Sequence, residues 1–148
     1  PKDIQALLMG GHGDTMVPLP RYTTVSGIPV TQLIDSDKLD AIVDRTKKGG
    51  GELVGLMGTS AWYAPGAAAA QMVEAIMLDQ NRIFPCAVQL NGEYGINDLF
   101  LGVPVKLGKG GVKEIIEVEL DDAETELLRA SEKAVRSTME DFKKLMDK

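Results

Sequence analysis

Three strand-like runs follow one another between residues 83 and 120, and only short turns separate them. The runs cover residues 83–90, 99–107 and 112–120, with Asn91-Gly92 and the glycine-rich residues 108–111 between them. Strands joined by such short connections usually pair with their sequence neighbours in an antiparallel sheet. The segment therefore predicts an antiparallel meander, which any fold of this chain has to accommodate.

The clearest helical pattern follows directly, over residues 121–148. Apolar and small side chains recur every three or four positions from Leu127 to Met146, and charged side chains occupy the opposite face. This spacing predicts an amphipathic helix, which Asp121 or Asp122 would cap at its start.

The rest of the chain predicts two further helices, a short hairpin and one buried strand. Ser36 is the expected cap of one helix, and residues 49–51, all glycine, mark its end, a kink or a place where a neighbour packs closely. Together these elements predict the α+β class, with antiparallel strands and long helices in one domain over residues 1–148. The other predicted elements are a strand over 4–9, a hairpin of 22–25 with 28–30, and a helix over 62–80.

Composition excludes several classes of function. A formal net charge of −6 argues against a nucleic-acid partner or an anionic membrane surface, since both require a basic face. No run approaches the ~20 apolar residues that cross a bilayer. Cys86 is the only cysteine, which fits a reducing, cytoplasmic setting, and with one histidine in the chain a structural zinc site is disfavoured.

The start of the chain and its glycine pattern suggest a piece of a longer protein. The first residue is Pro1 rather than methionine, and the following residues already look like part of a folded element. A dinucleotide-binding fold would show G-x-G-x-x-G between a strand and a helix, and neither glycine-rich stretch of this chain has that context. We therefore expect no dinucleotide-binding domain in this chain.

His12 is the strongest candidate for a catalytic residue. It lies in a loop after the first predicted strand, between Gly11 and Gly13, and an imidazole with a pKa near ~6.5 exchanges protons at physiological pH. A lone histidine is more often a loop residue that bonds nearby backbone, but glycine neighbours and a strand-end loop favour a site. Asp14 could orient the imidazole; we expect it instead to bond backbone N–H groups and fix the loop, together with Gly13.

A second unusual stretch, G-T-S-A-W-Y-A-P-G, covers residues 58–66. It opens a predicted helix with small residues, hydroxyl groups and a proline, so its first turn could face a bound ligand. The alternative is a capped helix start with Trp62 and Tyr63 packed inward. The sequence favours neither interpretation over the other.

These motifs resemble a known family. G-G-H-G-D-T-M-V-P-L at 10–19 resembles the active-site histidine motif of NAD-dependent malate dehydrogenases, in the branch similar to lactate dehydrogenases. Gly11 and Thr15 stand as in the malate branch, where the lactate enzymes more often have an acidic residue and a serine. Residues 58–66 and N-G-E-Y-G at 91–95 also look like that family. The resemblance covers the whole chain but only the C-terminal, substrate-binding half of the family's fold.

The resemblance implies roles for individual residues. His12 would be the proton acceptor in oxidation of malate to oxaloacetate, and Gly11, Ala61 and Pro65 would line the pocket beside substrate and nicotinamide. NAD would bind mainly to an N-terminal domain of the same protein, which would also supply the aspartate that holds the histidine and the arginines that clamp the dicarboxylate. The family assembles as dimers or tetramers, and residues 67–70 and 127–146 are candidate contact surfaces. The arginines of this chain do not stand in the clamping motifs, and we expect them at surfaces or interfaces: Arg21, Arg45, Arg82, Arg129 and Arg136.

Two alternatives stay open. The nearest is a domain of a lactate or other 2-hydroxyacid dehydrogenase, because the segment that discriminates between substrates would lie upstream. The alternative from another class is a non-catalytic oligomerisation module in which His12 is idle.

Overall fold

Eight strands and three α-helices make up the fold in the computed structural model, which describes residues 2–146. Every strand pairing in this part of the chain is antiparallel. The strands are β1 (Ile4–Gln5), β2 (Leu8–Gly10), β3 (Met16–Pro18), β4 (Thr24–Val25), β5 (Ile28–Pro29), β6 (Arg82–Asn91), β7 (Asn97–Gly108) and β8 (Gly111–Ile115), and the helices are α1 (Ser36–Met57), α2 (Tyr63–Met77) and α3 (Asp122–Met146).

The main sheet has five strands, and β7 is its centre. β6 pairs along almost the whole length of β7, while β8 and β2 pair with β7 as well. The predicted meander is confirmed, although its third strand ends at Ile115 instead of residue 120. The chain leaves the sheet there because the Tyr94 hydroxyl donates to the Ile116 carbonyl at 3.1 Å and accepts from the Val118 N–H at 2.9 Å. These backbone groups are thereby satisfied without a neighbouring strand.

The strand predicted over residues 4–9 is wrong as a single element, because the chain changes sheets in its middle. β1 pairs with β4 in a three-stranded sheet, whereas β2 pairs with β3 and β7 in the main sheet. At the crossing, the Leu7 N–H donates to Thr23 Oγ1 at 3.3 Å, and the Leu7 carbonyl accepts from the Leu19 N–H at 3.0 Å. The hairpin predicted over 22–30 is confirmed as β4 and β5, with the turn at Ser26-Gly27.

α1 runs without interruption through the glycines at 49–51, so an end of the helix, one of the three alternatives left open by the sequence, is excluded. A Cβ built on any of the three would meet no atom of the described residues within 4 Å. Close packing against a neighbour within residues 2–146 is therefore also excluded as their reason. The helix begins at Ser36, and Asp35 rather than Ser36 occupies the cap position.

α3 begins with a reciprocal pair of hydrogen bonds between Asp121 and Glu124. The Glu124 N–H donates to Asp121 Oδ1 at 2.9 Å, and the Asp121 N–H donates to Glu124 Oε2 at 3.0 Å. This is a capping box, so the predicted cap by Asp121 is confirmed. Arg21 Nε also donates to Glu124 Oε1 at 3.0 Å, which ties the helix start to the segment after β3.

The core lies between the main sheet and the helices α2 and α3, of which α3 contributes through its first half. Leu128 and Ser131 of that helix are buried, but the stripe is exposed from Met139 onward. α1 and α2 also expose many apolar side chains within this chain, and Ala75 is their one fully buried residue in the described part. Every helix within residues 2–146 is too short or too polar to cross a bilayer. The core side chains come mostly from the strands: Met9, Val17, Leu90, Leu99, Leu101, Val103, Val105 and Leu107.

Gly102 is where β7 makes its closest approach to β2. It pairs with Gly10, and a Cβ built on Gly102 would lie 2.6 Å from the Gly10 carbonyl oxygen. Because that oxygen belongs to backbone and cannot rotate away, we expect Gly102→Ala to lower the free energy of unfolding by ~1–3 kcal/mol. Chemical denaturation of the full-length protein measures this.

The matched control for this variant is Gly50→Ala on α1, where a Cβ would contact no other part of the described chain. Since alanine favours a helix over glycine by up to ~1 kcal/mol, the control should leave stability equal or higher. Equal stability of the Gly102→Ala and wild-type proteins would show that the strands separate without cost.

Candidate active site

The hairpin of β2 and β3 carries His12 at its tip. Gly10 pairs with Met16, so residues 11–15 form the connection. His12 has an extended backbone and directly precedes a 3-10 turn over Gly13–Thr15. Its side chain is exposed. The predicted position of His12, in a loop after a strand, is therefore confirmed.

Two of the three glycines around His12 are explained by packing within the chain. Gly10 has φ +84°, and a Cβ there would lie 2.6 Å from Ser131 Oγ of α3. A Cβ on Gly11 would lie 2.7 Å from Thr15 Oγ1 and 3.4 Å from Val135 Cγ2. Side chains from α3 and from the loop itself thus occupy the space next to the backbone that leads into His12.

Gly13, on the other side of His12, has a different environment. Its φ is +77°, and a Cβ there would meet no atom of the described residues within 4 Å apart from those of its chain neighbours. Glycine is favoured there by its left-handed backbone alone. The side chain of His12 itself is exposed, so another molecule could reach its ring.

Within residues 2–146, the His12 ring forms no hydrogen bond and no ion pair, so it is not held by a carboxylate of this part of the chain. The nearest acidic residue in sequence, Asp14, lies in the 3-10 turn and is exposed. The expected hydrogen bonds from backbone N–H groups to its carboxylate do not form among the described residues. The loop is fixed instead by the Gly11 N–H, which donates to Ser131 Oγ at 2.7 Å.

Ala61 and Pro65 lie at the junction of α1 and α2. Ala61 is half-buried in the connection, and Pro65 is exposed in the first turn of α2. Trp62 and Tyr63 are 57% and 76% exposed, so the alternative that packs these two rings inward fails within this chain. The place of Ala61 and Pro65 in a substrate pocket stays a prediction.

The arginines of this chain are engaged in contacts with other side chains of the chain, and their own side chains lie at the surface. Arg129 and Arg136 both pair with Glu132 on α3. Burial raises the pKa of the Glu132 carboxyl, but hydrogen bonds from the two arginines outweigh it and hold the pKa below its usual range. The others are Arg21 with Glu124, Arg45 with Glu52, and Arg82 over the ring of Phe84.

The surface of the described chain includes two hollows beside its long helices. One, of ≈ 400 Å³, follows α1 from Ile42 to Leu53. The other, of ≈ 220 Å³, lies between Tyr94 and the start of α3. Neither is lined by His12, whose side chain is exposed.

The sequence as a whole matches a described protein family. Residues 1–146 fit the lactate/malate dehydrogenase, alpha/beta C-terminal domain. The chain belongs to the lactate/malate dehydrogenase family. The predicted fold class, the antiparallel strands and long helices of this family's C-terminal domain, is confirmed, and the resemblance of the histidine motif is explained by membership of the family.

Curated relatives of this dehydrogenase domain include the malate dehydrogenase of Salinibacter ruber, which is 65% identical over 146 residues, or 99% of this chain and 46% of the relative. The malate dehydrogenase of Thermomicrobium roseum is 61% identical over 145 residues, or 98% of this chain and 47% of the relative. The chain thus spans about half the length of the curated relatives it matches.

Solved structures of lactate/malate dehydrogenases have the same fold. The Salinibacter ruber malate dehydrogenase superposes with a TM-score of 0.96, covering 99% of this chain and 48% of that one. A lactate dehydrogenase from Eimeria maxima, solved with NADH and oxamate, superposes with a TM-score of 0.94 at 38% identity, again over 99% and 48%.

Ser131 is the residue at this site that the sequence did not single out. Ser131 belongs to the apolar stripe predicted for α3. It is only 1% exposed, and its hydroxyl accepts a hydrogen bond from the backbone of the His12 loop. A hydroxyl in the middle of an apolar stripe was the available signal, because buried polar groups nearly always have a hydrogen-bond partner.

Proposed function

We propose that the full-length protein containing this chain is an NAD-dependent malate dehydrogenase, which oxidises (S)-malate reversibly to oxaloacetate. His12 is its acid/base residue, and residues 1–148 form its C-terminal, substrate-binding domain. The observation that carries the proposal is the exposed His12 ring at the tip of a hairpin, in a chain of this family.

The chemistry assigned to His12 follows from its position. The neutral imidazole accepts the 2-hydroxyl proton of malate, and the imidazolium returns that proton to the carbonyl oxygen of oxaloacetate in the reverse direction. An exposed ring without a competing partner is free to bond a substrate oxygen. Bound NAD supplies the hydride acceptor for the carbon that bears the hydroxyl.

The hydrogen bond from Gly11 to Ser131 fixes the backbone that presents the ring, and Gly11, Ala61 and Pro65 are the proposed wall of the pocket. Gly13 and Asp14 form the 3-10 turn that follows His12 and complete the loop.

The proposal requires a second domain of the same protein. The residues present fit one side of a substrate site, but the described arginines are committed elsewhere and His12 lacks a carboxylate partner within residues 2–146. We assign the NAD site, the dicarboxylate-binding arginines and the aspartate behind His12 to a dinucleotide-binding domain of the same polypeptide. Curated relatives about twice as long as this chain support that assignment.

A homodimer or homotetramer is part of the proposal. The apolar side chains that α1, α2 and the end of α3 expose in this chain are the surfaces expected to pack in such an assembly or against the other domain. Sedimentation of the full-length protein tests this, and a strict monomer would count against it.

The second candidate is a lactate dehydrogenase, favoured by the close superposition on the Eimeria maxima enzyme. The two candidates are distinguished by the rate of NADH oxidation by the full-length protein with oxaloacetate and with pyruvate. We expect kcat/KM to be at least about 100-fold higher for oxaloacetate, because paired charges on a second carboxylate discriminate strongly between substrates. A preference for pyruvate would favour the lactate dehydrogenase over the malate dehydrogenase. No turnover of either substrate would contradict dehydrogenase function.

A further inference from the structure

Ser131 and Gly11 meet across 120 positions of sequence. Ser131 lies in the third turn of α3, in the half of the helix that packs on the main sheet. Its side chain is 1% exposed, and it is one of two buried polar or charged side chains in the described part of the chain. The other, Glu124, belongs to the capping box and to the ion pair with Arg21.

This contact depends on the hydroxyl of Ser131 and on the absence of side chains at Gly10 and Gly11. Ser131 Oγ accepts from the Gly11 N–H at 2.7 Å, and it lies where side chains on Gly10 or Gly11 would come to within 2.6 Å and 3.5 Å of it. Thr15 Oγ1 also lies close to Gly11, 2.7 Å from where a Cβ on that residue would be. The backbone that enters His12 is therefore hydrogen-bonded to a helix hydroxyl and lies next to the far end of its own loop.

We propose that Ser131 is a positioning residue for His12. Its buried hydroxyl fixes the Gly11 amide and thereby determines the position of the imidazole relative to the substrate. The proposal rests on the assignment of His12 as the acid/base residue. Ser131 does not touch substrate, and it acts only through the backbone next to the histidine.

The expected effect follows from the geometry that proton transfer demands. Heavy atoms must come within about 2.6–3.2 Å for the transfer, and a displacement of about 1 Å costs as much as 100-fold in rate. Losing one anchor of a loop whose two ends are still held by the pairing of β2 with β3 should displace the ring by less. We therefore expect Ser131→Ala to lower kcat for oxaloacetate about tenfold in the full-length enzyme, with NADH affinity unchanged.

The test combines kinetics with hydrogen exchange of the Gly11 amide, followed by NMR in the full-length protein. The proposal expects exchange at Gly11 to be at least about tenfold faster in Ser131→Ala than in the wild type, together with the loss of kcat. Ser131→Thr, which keeps the hydroxyl, should restore slow exchange and most of kcat. The matched control is Ser137→Ala on the exposed side of the same helix, which should change neither quantity.

The outcomes separate this proposal from the assignment of function. Unchanged exchange at Gly11, or faster exchange with unchanged kcat, would overturn the positioning role. A fall in NADH affinity equal to the fall in kcat would also overturn it, because it would indicate general damage to the fold. Absence of turnover in the wild-type enzyme would instead contradict the proposed dehydrogenase, while the exchange measurement would still show whether Ser131 holds the loop.

Discussion

Replacing His12 by asparagine in the full-length protein is expected to lower kcat for oxaloacetate reduction by about 10²–10⁴, the usual contribution of a positioned acid/base group. Asparagine keeps a polar side chain of similar reach but neither gives nor takes a proton at physiological pH. Because the His12 ring is exposed and forms no hydrogen bond within residues 2–146, its replacement removes no contact that holds this domain together. Stability should therefore stay close to that of the wild type.

The measurement pairs steady-state kinetics with a fluorescence titration of NADH. We expect the dissociation constant of NADH to change less than about threefold, since the proposed cofactor site belongs mainly to the other domain. Lys133→Asn, an exposed change on the charged face of α3, is the matched control and should retain full activity. Parallel losses of kcat and NADH affinity in His12→Asn would mark the residue as structural, and full activity would exclude it as the proton acceptor.

The second large effect concerns the 148-residue chain by itself. We expect it to bind NADH weakly at best and to turn over oxaloacetate at least about 10⁵-fold more slowly than the full-length protein. Holding hydride donor and acceptor together is worth effective molarities of roughly 10⁵ M or more, and one domain cannot supply that alone. The arginines of the described residues are also committed to Glu124, Glu52 and Glu132, or lie over Phe84.

Circular dichroism of the purified chain is the necessary companion to this assay. A signal consistent with the three helices would show that inactivity reflects the absent partner domain and not an unfolded chain. Robust malate oxidation by the folded chain would refute the division of labour between the two domains.

The sequence predicted best those elements whose pattern and partners are close along the chain. The strands β6, β7 and β8 are joined by short turns, and the cap of α3 needs only Asp121 and Glu124. The division of residues 4–9 between two sheets was missed because Leu7 bonds Thr23 and Leu19, partners that local periodicity does not reveal. The sequence left the role of the glycines at 49–51 open, because the low helix propensity of glycine is a weak preference that the rest of a long helix can override.

The residues of the candidate site show the same difference between local signals and distant contacts. His12 was found because its glycine neighbours and the family motif are local in sequence. Ser131 was not singled out, since nothing near it in sequence indicates a partner 120 positions away. The reason for Gly10 and Gly11 was predicted only in part. Both glycines admit a close approach, but the approaching groups are Ser131 and Thr15 of the same chain.

The bond between Gly11 and Ser131 also has a consequence for biosynthesis. A ribosome makes the His12 loop early and the helix that anchors it 120 residues later. At the usual pace of roughly 5–20 residues per second, the nascent loop waits several seconds or more for its anchor. Ordering of the loop should therefore be among the last events in the folding of this domain, so a ribosome-bound intermediate that ends before Ser131 should carry its histidine on an unanchored loop.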